Sequence, residues 1–338
     1  MRKLLVVLIV AIIGVAAGCG MYVRRELRVV GTPAEGLIIE IPHGLGAREI
    51  VGLLKQKNVI QSPAVAYAYI LYTGARHKLQ AGEYSFEHPQ TIPEVIDKVA
   101  SGLVYLHRFT VAEGLTIEAA AQKWQQEGYG SSQDFKKAAA DAVVLVRRFD
   151  QKAPTVEGYL FPETYSFPAH ATSRQLIESM IARFQQVVTK LRQVKPEEKW
   201  PLNLHDTVIL ASLIETEAAQ PDERPLIASV YLNRLNRRIL LQCDPTVIYA
   251  LQQSNRYEGR LTLADLQFKS PYNTYVSPGL PPNAIANPGY PSLLAAIQPA
   301  DTNYLYFVRT TDSRHTFSET LAAHNRAVAA YRKLKRAS

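Results

Sequence analysis

The chain has 338 residues, a formal charge of +8 and a composition that is 47% hydrophobic. Chemistry built on clustered cysteines or a metal is not expected: there are only two Cys, and the eight His are scattered without metal-ligand spacing. No cofactor is expected. The chain opens Met1-Arg2-Lys3 and then runs from Leu4 to Val23 without a charge, about the 20 residues a membrane-crossing helix needs. Arg24, Arg25, Glu26 and Arg28 close the span. Basic residues stand at both ends, so charge alone does not orient it. A three-residue tip ahead of one span, with the rest of the chain after it, reads as a signal anchor that places residues 24–338 outside the cytoplasm. Two alternatives stay open. One is a cleaved signal ending near Ala16-Ala17-Gly18; the other is a lipoprotein signal, because those small residues precede Cys19. If Cys19 is in the membrane or lipidated, Cys243 has no partner and no structural disulfide forms. The excess of Lys and Arg favours an anionic partner, which outside a cytoplasm means lipid head groups or cell-wall polymer. The export segment and the absence of a basic–aromatic stripe argue against nucleic acid.

After a linker at 24–36, residues 41–65 are followed seventy residues later by a related stretch that begins Val111-Ala112-Glu113-Gly114-Leu115. Gly44 falls on Gly114, Leu45 on Leu115, Leu54 on Trp124, Val59 on Tyr129 and Ser62 on Ser132. Each copy predicts a short strand (Leu37–Ile41; Arg108–Val111), a glycine turn, an amphipathic helix and the start of a second helix. Between them, Lys78–Phe86 alternates like a half-buried strand, and Thr91–Val99 predicts a helix with Pro near its start. The pattern of residues 37–106 resembles LysM-like modules, which bind glycans containing N-acetylglucosamine. The same residues also fit a plain spacer. Residues 107–150 form the second, related repeat.

A hinge at Gln151–Pro154 opens the last segment, 151–338. Val156-Glu157-Gly158-Tyr159-Leu160-Phe161-Pro162-Glu163-Thr164-Tyr165 mixes aromatics, Gly, Pro and carboxylates, as a sugar-binding wall does; a packed loop is the alternative. Residues 172–194 predict an amphipathic helix. The next helix carries Ala211-Ser212-Leu213-Ile214-Glu215-Thr216-Glu217, with Asp206 as a candidate cap and Pro221 as its stop. At about 100° per residue the two glutamates point to nearly opposite sides. Glu217 continues the bulky row Leu210, Leu213, Ile214, while Glu215 continues Val208, Ala211, Ser212. A carboxyl on the bulky face is desolvated, its pKa rises, and it suits a general acid; a helix-end Glu that reaches solvent is the alternative. Pro225–Arg238 predicts a helix ending in basic residues, and Leu241–Tyr249 a turn into another. A long Pro-, Gly-, Asn- and Tyr-rich stretch at 270–289 is too apolar for disorder. Tyr304–Val308 is a strand, and His315-Thr316-Phe317 precedes a terminal helix.

Glu157-Gly-Tyr-Leu-Phe-Pro-Glu-Thr-Tyr, Ala211-Ser-Leu-Ile-Glu-Thr-Glu, Leu241-Gln-Cys-Asp-Pro-Thr-Val-Ile-Tyr, Tyr272-Asn-Thr-Tyr, Gly279-Leu-Pro-Pro and His315-Thr-Phe occur in this order. Together they resemble the YceG-like (MltG) endolytic murein transglycosylases over residues 37–335. The resemblance implies an α+β chain: an N-terminal transmembrane helix, one or more LysM-like modules, and a mixed catalytic domain whose helix carries the acid. It implies cleavage of the β-1,4 bond between N-acetylmuramic acid and N-acetylglucosamine inside glycan strands, leaving 1,6-anhydro ends. Glu217 falls on the family's catalytic glutamate. Glu215, Glu163, Glu157, Gln242, Asp244, Tyr272, Asn273, Tyr275 and His315 are the candidates for binding and orienting sugars; each alternatively caps a helix or pins a loop. Peptidoglycan synthases of the penicillin-binding class are the partners the resemblance implies. Cys243 departs from the usual Thr, and Asn283 from the common Gly after Pro-Pro. A two-carboxylate hydrolase pairing Glu217 with Glu163 or Asp244, and a non-catalytic wall-binding scaffold that tethers synthases, are the rival readings.

Overall fold

The computed structural model describes residues 2–310 and 314–337. Helix α1 (Arg2–Glu26) leaves its apolar side chains uncovered, and its stretch Leu5–Glu26, with an 18-residue window of mean hydropathy 2.5, is long and apolar enough to cross a membrane. Cys19 is exposed on it. The remainder is mixed α+β in two compact units. One extends to Arg108 and takes in Ser166–Ala171; the other comprises Phe109–Tyr165 and the chain from Thr172 on.

In the first unit β1 (Leu37–Ile41) pairs antiparallel with β2 (Gly82–Phe86), setting Ile39 opposite Tyr84. The strand expected from Lys78 starts four residues later, because the Gln80 N–H bonds to the Val99 carbonyl instead of a strand partner. Helices α2 (Ala47–Gln56), α3 (Pro63–Thr73) and α4 (Ile92–Ala100) enclose a core of Ile41, Leu54, Ile70, Tyr84, Phe86 and Val95. Glu94 reaches back to the Thr91 N–H at 2.8 Å, so α4 begins where the residue pattern puts it.

β3 (His107–Thr110) pairs with β4 (Thr164–Phe167) in a two-stranded sheet. In the second unit α5 (Ile117–Gln126) and α6 (Ser132–Asp141) follow β3. The spacing of seventy residues holds in the backbone: α2 and α5 start at 47 and 117 and end at 56 and 126. Gly44 and Gly114 both sit at positive φ (89° and 79°), as do Asn58 and Gly128 (58° and 81°). The N–H of Val59 bonds to Leu54, and that of Tyr129 to Trp124, closing both helices in the same way.

The chain continues through α7 (Val143–Val146) and α8 (Ser173–Val194) to α9 (Leu204–Glu217). Asn203, not Asp206, caps α9: its side chain accepts from the Asp206 N–H at 3.2 Å, which puts Asp206 in the first turn. Every residue from Leu204 to Ile214 except Asp206 is buried, under α10 (Arg224–Asn236), α11 (Asp244–Gln253) and α12 (Tyr290–Ile297). α9 stops at Glu217, ahead of Pro221, which opens a short 3-10 turn. A hairpin of β5 (Tyr306–Arg309) and β6 (His315–Ser318) and a last helix, α13 (Leu321–Ala337), finish the fold.

The stretch 270–289 is irregular but not a surface loop. Ala284, Ile285 and Ala286 are buried, and their segment is held by side chains: Ser212 Oγ accepts from the Ile285 N–H at 3.1 Å. Asn287 Oδ1 accepts from the N–H groups of Gly158 and Leu160 at 2.9 and 3.0 Å. Gly158 is at φ 91°, and a Cβ there would lie 2.5 Å from Ala284 Cβ and 2.8 Å from Val208 Cγ1. The glycine of Glu157-Gly-Tyr is therefore fixed by close packing against α9 and the loop.

Candidate active site

The end of α9 holds two carboxylates in different company. Glu217, its last residue, is partly buried, and its Oε1 accepts from Tyr231 Oη of α10 and Cys243 Sγ, each at 3.4 Å. Burial pushes the Glu217 carboxyl up to about 7, with the Asp244 charge adding to the rise and the Cys243 and Tyr231 donors opposing it. The C-terminal end of the helix dipole acts in the same direction as burial. No cation pairs with Glu217 among the described residues. Burial raises Tyr231 and Cys243 well above their ordinary values, so both stay protonated and act as donors. Both go to Oε1. Oε2 is left without a protein partner among the described residues.

The wall beside Glu217 is the start of α11. Asp244 is exposed and accepts a short hydrogen bond from Tyr275 Oη. Gln242 is exposed at φ 52°, an uncommon backbone state outside glycine. That conformation is held from both ends. Gln242 N–H donates to the Thr274 carbonyl at 3.1 Å, and Cys243 N–H donates to Thr274 Oγ1 at 2.9 Å. Arg234 Nη1 donates to the Leu240 and Leu241 carbonyls at 3.0 and 2.9 Å and to Gln242 Oε1 at 3.3 Å. Burial holds the Arg234 guanidinium below its usual range, and its bonds go to neutral oxygens. Gln242, Asp244 and Tyr275 are thus the sequence candidates gathered with Glu217.

The other candidates lie elsewhere in the unit. Glu215, with a side chain only 5% exposed, accepts from Arg224 Nη2 at 3.1 Å and from the Gly289 N–H at 2.9 Å. Glu113 lies 3.9 Å from the same guanidinium. Glu157 is buried and accepts from the Ile117 N–H at the start of α5 (3.0 Å), Asn287 Nδ2 (3.0 Å) and Tyr249 Oη (3.5 Å). Burial outweighs those donors and pushes it up to about 8. Glu163 forks with Arg183 on the surface at 2.7 and 3.2 Å. Tyr272 packs against Tyr249 with ring centres 5.0 Å apart. Asn273 is fully buried, donating to the Leu266 and Phe268 carbonyls and accepting from the Tyr275 N–H, which sets the turn that presents Tyr275. His315 pairs with Glu223 at 2.7 Å in a buried contact. Among the described residues no three His, Cys, Asp or Glu converge as a metal-ligand set.

A profile of the YceG-like family matches residues 39–330. The chain belongs to the YceG-like family. It is 33% identical over 333 residues to a Bacillus subtilis protein named endolytic murein transglycosylase, covering 94% of this chain and 91% of that one. It is 27% identical to a Streptococcus pneumoniae protein of the same name, of which it spans 57% of the length. A crystal structure of a putative YceG-like protein from Listeria monocytogenes superposes with a TM-score of 0.59 at 30% identity, covering 86% of this chain and 98% of that one.

Tyr231 and Arg234 are the residues the sequence reading left out. Tyr231 sits in an ordinary-looking helical run, and its only sequence signal is a phenol among apolar positions of α10. Arg234 belongs by sequence to the basic end expected of the Pro225–Arg238 helix; it is 8% exposed, because its stem and head are wrapped by three carbonyls and the Tyr306 ring.

Proposed function

We propose that the protein is a lytic transglycosylase that cuts murein glycan strands internally, with Glu217 as its one acid and base. The observation that carries this is a partly buried carboxyl, without a cation, whose Oε1 takes two donors and whose Oε2 is left over. In the first half of the reaction Glu217, protonated on Oε2, gives its proton to the oxygen between N-acetylmuramic acid and N-acetylglucosamine. The C1–O bond breaks and positive charge develops at C1. The same oxygen, now ionised, takes the proton of the muramoyl C6 hydroxyl, and O6 closes on C1 to give the 1,6-anhydro end. The Asp244 carboxylate next to the acid favours the positive charge that develops at C1. Gln242, through its carboxamide, and Tyr275, through Asp244, orient the ring.

The wider reading follows the family. α1 anchors the chain in the cytoplasmic membrane with residues 24–338 outside. Residues 37–106 serve as a LysM-like module, 107–150 as the related repeat, and 151–338 as the catalytic part. The substrate is then nascent glycan near the membrane, and synthases of the penicillin-binding class are the natural partners. The length and hydropathy of α1 support the first point, and the shared backbone of the two repeats supports a duplicated module.

Mass spectrometry of products from uncrosslinked glycan strands tests the chemistry, with the Glu217→Gln protein beside the wild type. Anhydro-ended fragments that vanish in the variant are the expected result. Reducing ends in their place would assign the protein to the hydrolases, with Asp244 as the second carboxylate.

A further inference from the structure

The far end of α11 carries a groove that the reaction at Glu217 does not use. It encloses about 670 Å³ between α5 and the end of α11, within the range of small-molecule pockets, roughly 300–1,000 Å³. Its lining is rich in carboxamides: Gln122 from α5, Gln252 and Gln253 from the last turn of α11, and Asn255 just beyond. The phenols of Tyr249 and Tyr257 complete it. The two ionic side chains on its wall, Glu118 and Lys136, pair with each other at 3.0 Å, so the lining carries no net charge. Gln122 Nε2 donates to Glu118 Oε1 at 3.0 Å, which leaves the Gln122 carbonyl oxygen available. The Gln252 and Asn255 carboxamides have no hydrogen-bond partner among the described residues.

We infer that this groove is a second saccharide-binding site. A carboxamide offers donors and an acceptor side by side, which matches the vicinal hydroxyls and acetamido groups of an N-acetylated sugar. A neutral lining rich in such groups disfavours a phosphate or a strongly charged peptide, since its one cation is already spent on Glu118. One part of the wall is fixed in advance: Tyr249 donates to the Glu157 carboxyl at 3.5 Å and packs at a tilt against Tyr272, ring centres 5.0 Å apart. Gln252 lies about 12 Å along the axis of α11 from Asp244, at 1.5 Å per residue. That is farther than one pyranose ring, so the groove holds a sugar other than the one protonated by Glu217. The choice of an N-acetylated sugar rests on the transglycosylase reading; the groove itself does not.

The test uses the full chain in detergent, carrying Glu217→Gln so that nothing is cut, and N-acetylglucosamine tetramer as the probe. Hydrogen-exchange protection by the tetramer is expected in segments 116–122 and 249–257. Its affinity should fall about tenfold in Gln122→Ala/Gln252→Ala, the loss expected for one or two neutral hydrogen bonds. Both positions are exposed, so an unchanged melting temperature verifies that the variant is folded. Protection confined to segments around Glu217 and Asp244, or an affinity the double variant leaves unchanged, overturns the site. If wild type leaves glycan strands uncut while the tetramer still protects the groove, the transglycosylase reading fails and the groove stands. If strands are cut to anhydro ends and the groove is not protected, the groove alone fails.

Discussion

Glu215 and Glu217 leave the same turn of α9, two residues apart, and arrive in opposite electrostatic settings. On one side Glu215 meets a guanidinium and a backbone N–H, both charge-matched to a carboxylate. On the other Glu217 meets a phenol, a thiol and a second carboxylate, with burial acting against its charge. The Glu215 side chain is itself only 5% exposed, so burial alone does not make an acid. The partner does. A buried carboxylate with a cation is a fixed strut, whereas a buried carboxyl with weak neutral donors can hold a proton near neutral pH and release it.

The largest expected effect breaks the comparison at Glu217. Glu217→Gln keeps the shape and removes the proton, so kcat/KM on glycan strands should fall by about 10²–10⁴, the usual share of a general acid. Its melting temperature should hold or rise, because no ion pair is lost and a desolvated acid is replaced by a neutral amide. Glu215→Ala should behave in the reverse manner. It leaves Arg224, whose side chain is 12% exposed, without its closest carboxylate, at a cost of about 3–5 kcal/mol. The exposed Glu113 at 3.9 Å offsets part of that. A thermal melt that moves more for Glu217→Gln than for Glu215→Ala would reverse the assignment of strut and acid.

Much of this division is legible in the sequence, for a reason that turns out to be partly different. Helical phase separates the two glutamates correctly. The contrast between a bulky and a small face does not survive, because α9 is covered all round by α10, α11, α12 and the 283–287 loop. Periodicity cannot foresee that, since covering segments lie far along the chain, seventy-three residues away in the case of Ser212 and Ile285. The same limit applies to Glu157, which reads as one carboxylate in an aromatic wall. Its partners Ile117 and Asn287 are forty and one hundred and thirty positions distant, and together they make it a buried clasp on the start of α5. Elements with strong local signals come out near their expected bounds: β1 at Leu37–Ile41, and α8 at Ser173–Val194 against an expected 172–194.

Glu157 sharpens the comparison as a third case: buried, well supplied with donors, and still pushed from 4.5 up to about 8. A carboxyl whose folded pKa is raised binds its proton more tightly in the folded state. Its favourable contribution is complete below 4.5 and is lost as the pH rises through about 8. Glu217 adds a term of the same sign between 4.5 and about 7. Melting temperature should therefore decline from about pH 5 to pH 9, with a flatter slope in Glu157→Gln even if its baseline is lower. An unchanged slope would mean that the Ile117 and Asn287 donors keep Glu157 ionised throughout.

The smallest effect tests whether the weak donors on Oε1 set the acid. The limb on which kcat/KM falls with rising pH should lie near 7 in the wild type, where Glu217 loses its proton. The Tyr231 hydroxyl favours the ionised form of Glu217, so removing it raises the pKa and moves the limb to higher pH. One neutral hydrogen bond of about 0.5–1.5 kcal/mol converts to roughly half a unit to one unit. Tyr231→Phe keeps the ring that packs on Phe307, 5.9 Å between centres, so the fold has little reason to respond. Cys243→Ala should shift the limb in the same direction, and the two substitutions together should shift it further because both donors meet at one oxygen. A limb that moves to lower pH in Tyr231→Phe would mean that the phenol holds the protonated acid and that Oε1, not Oε2, carries the catalytic proton.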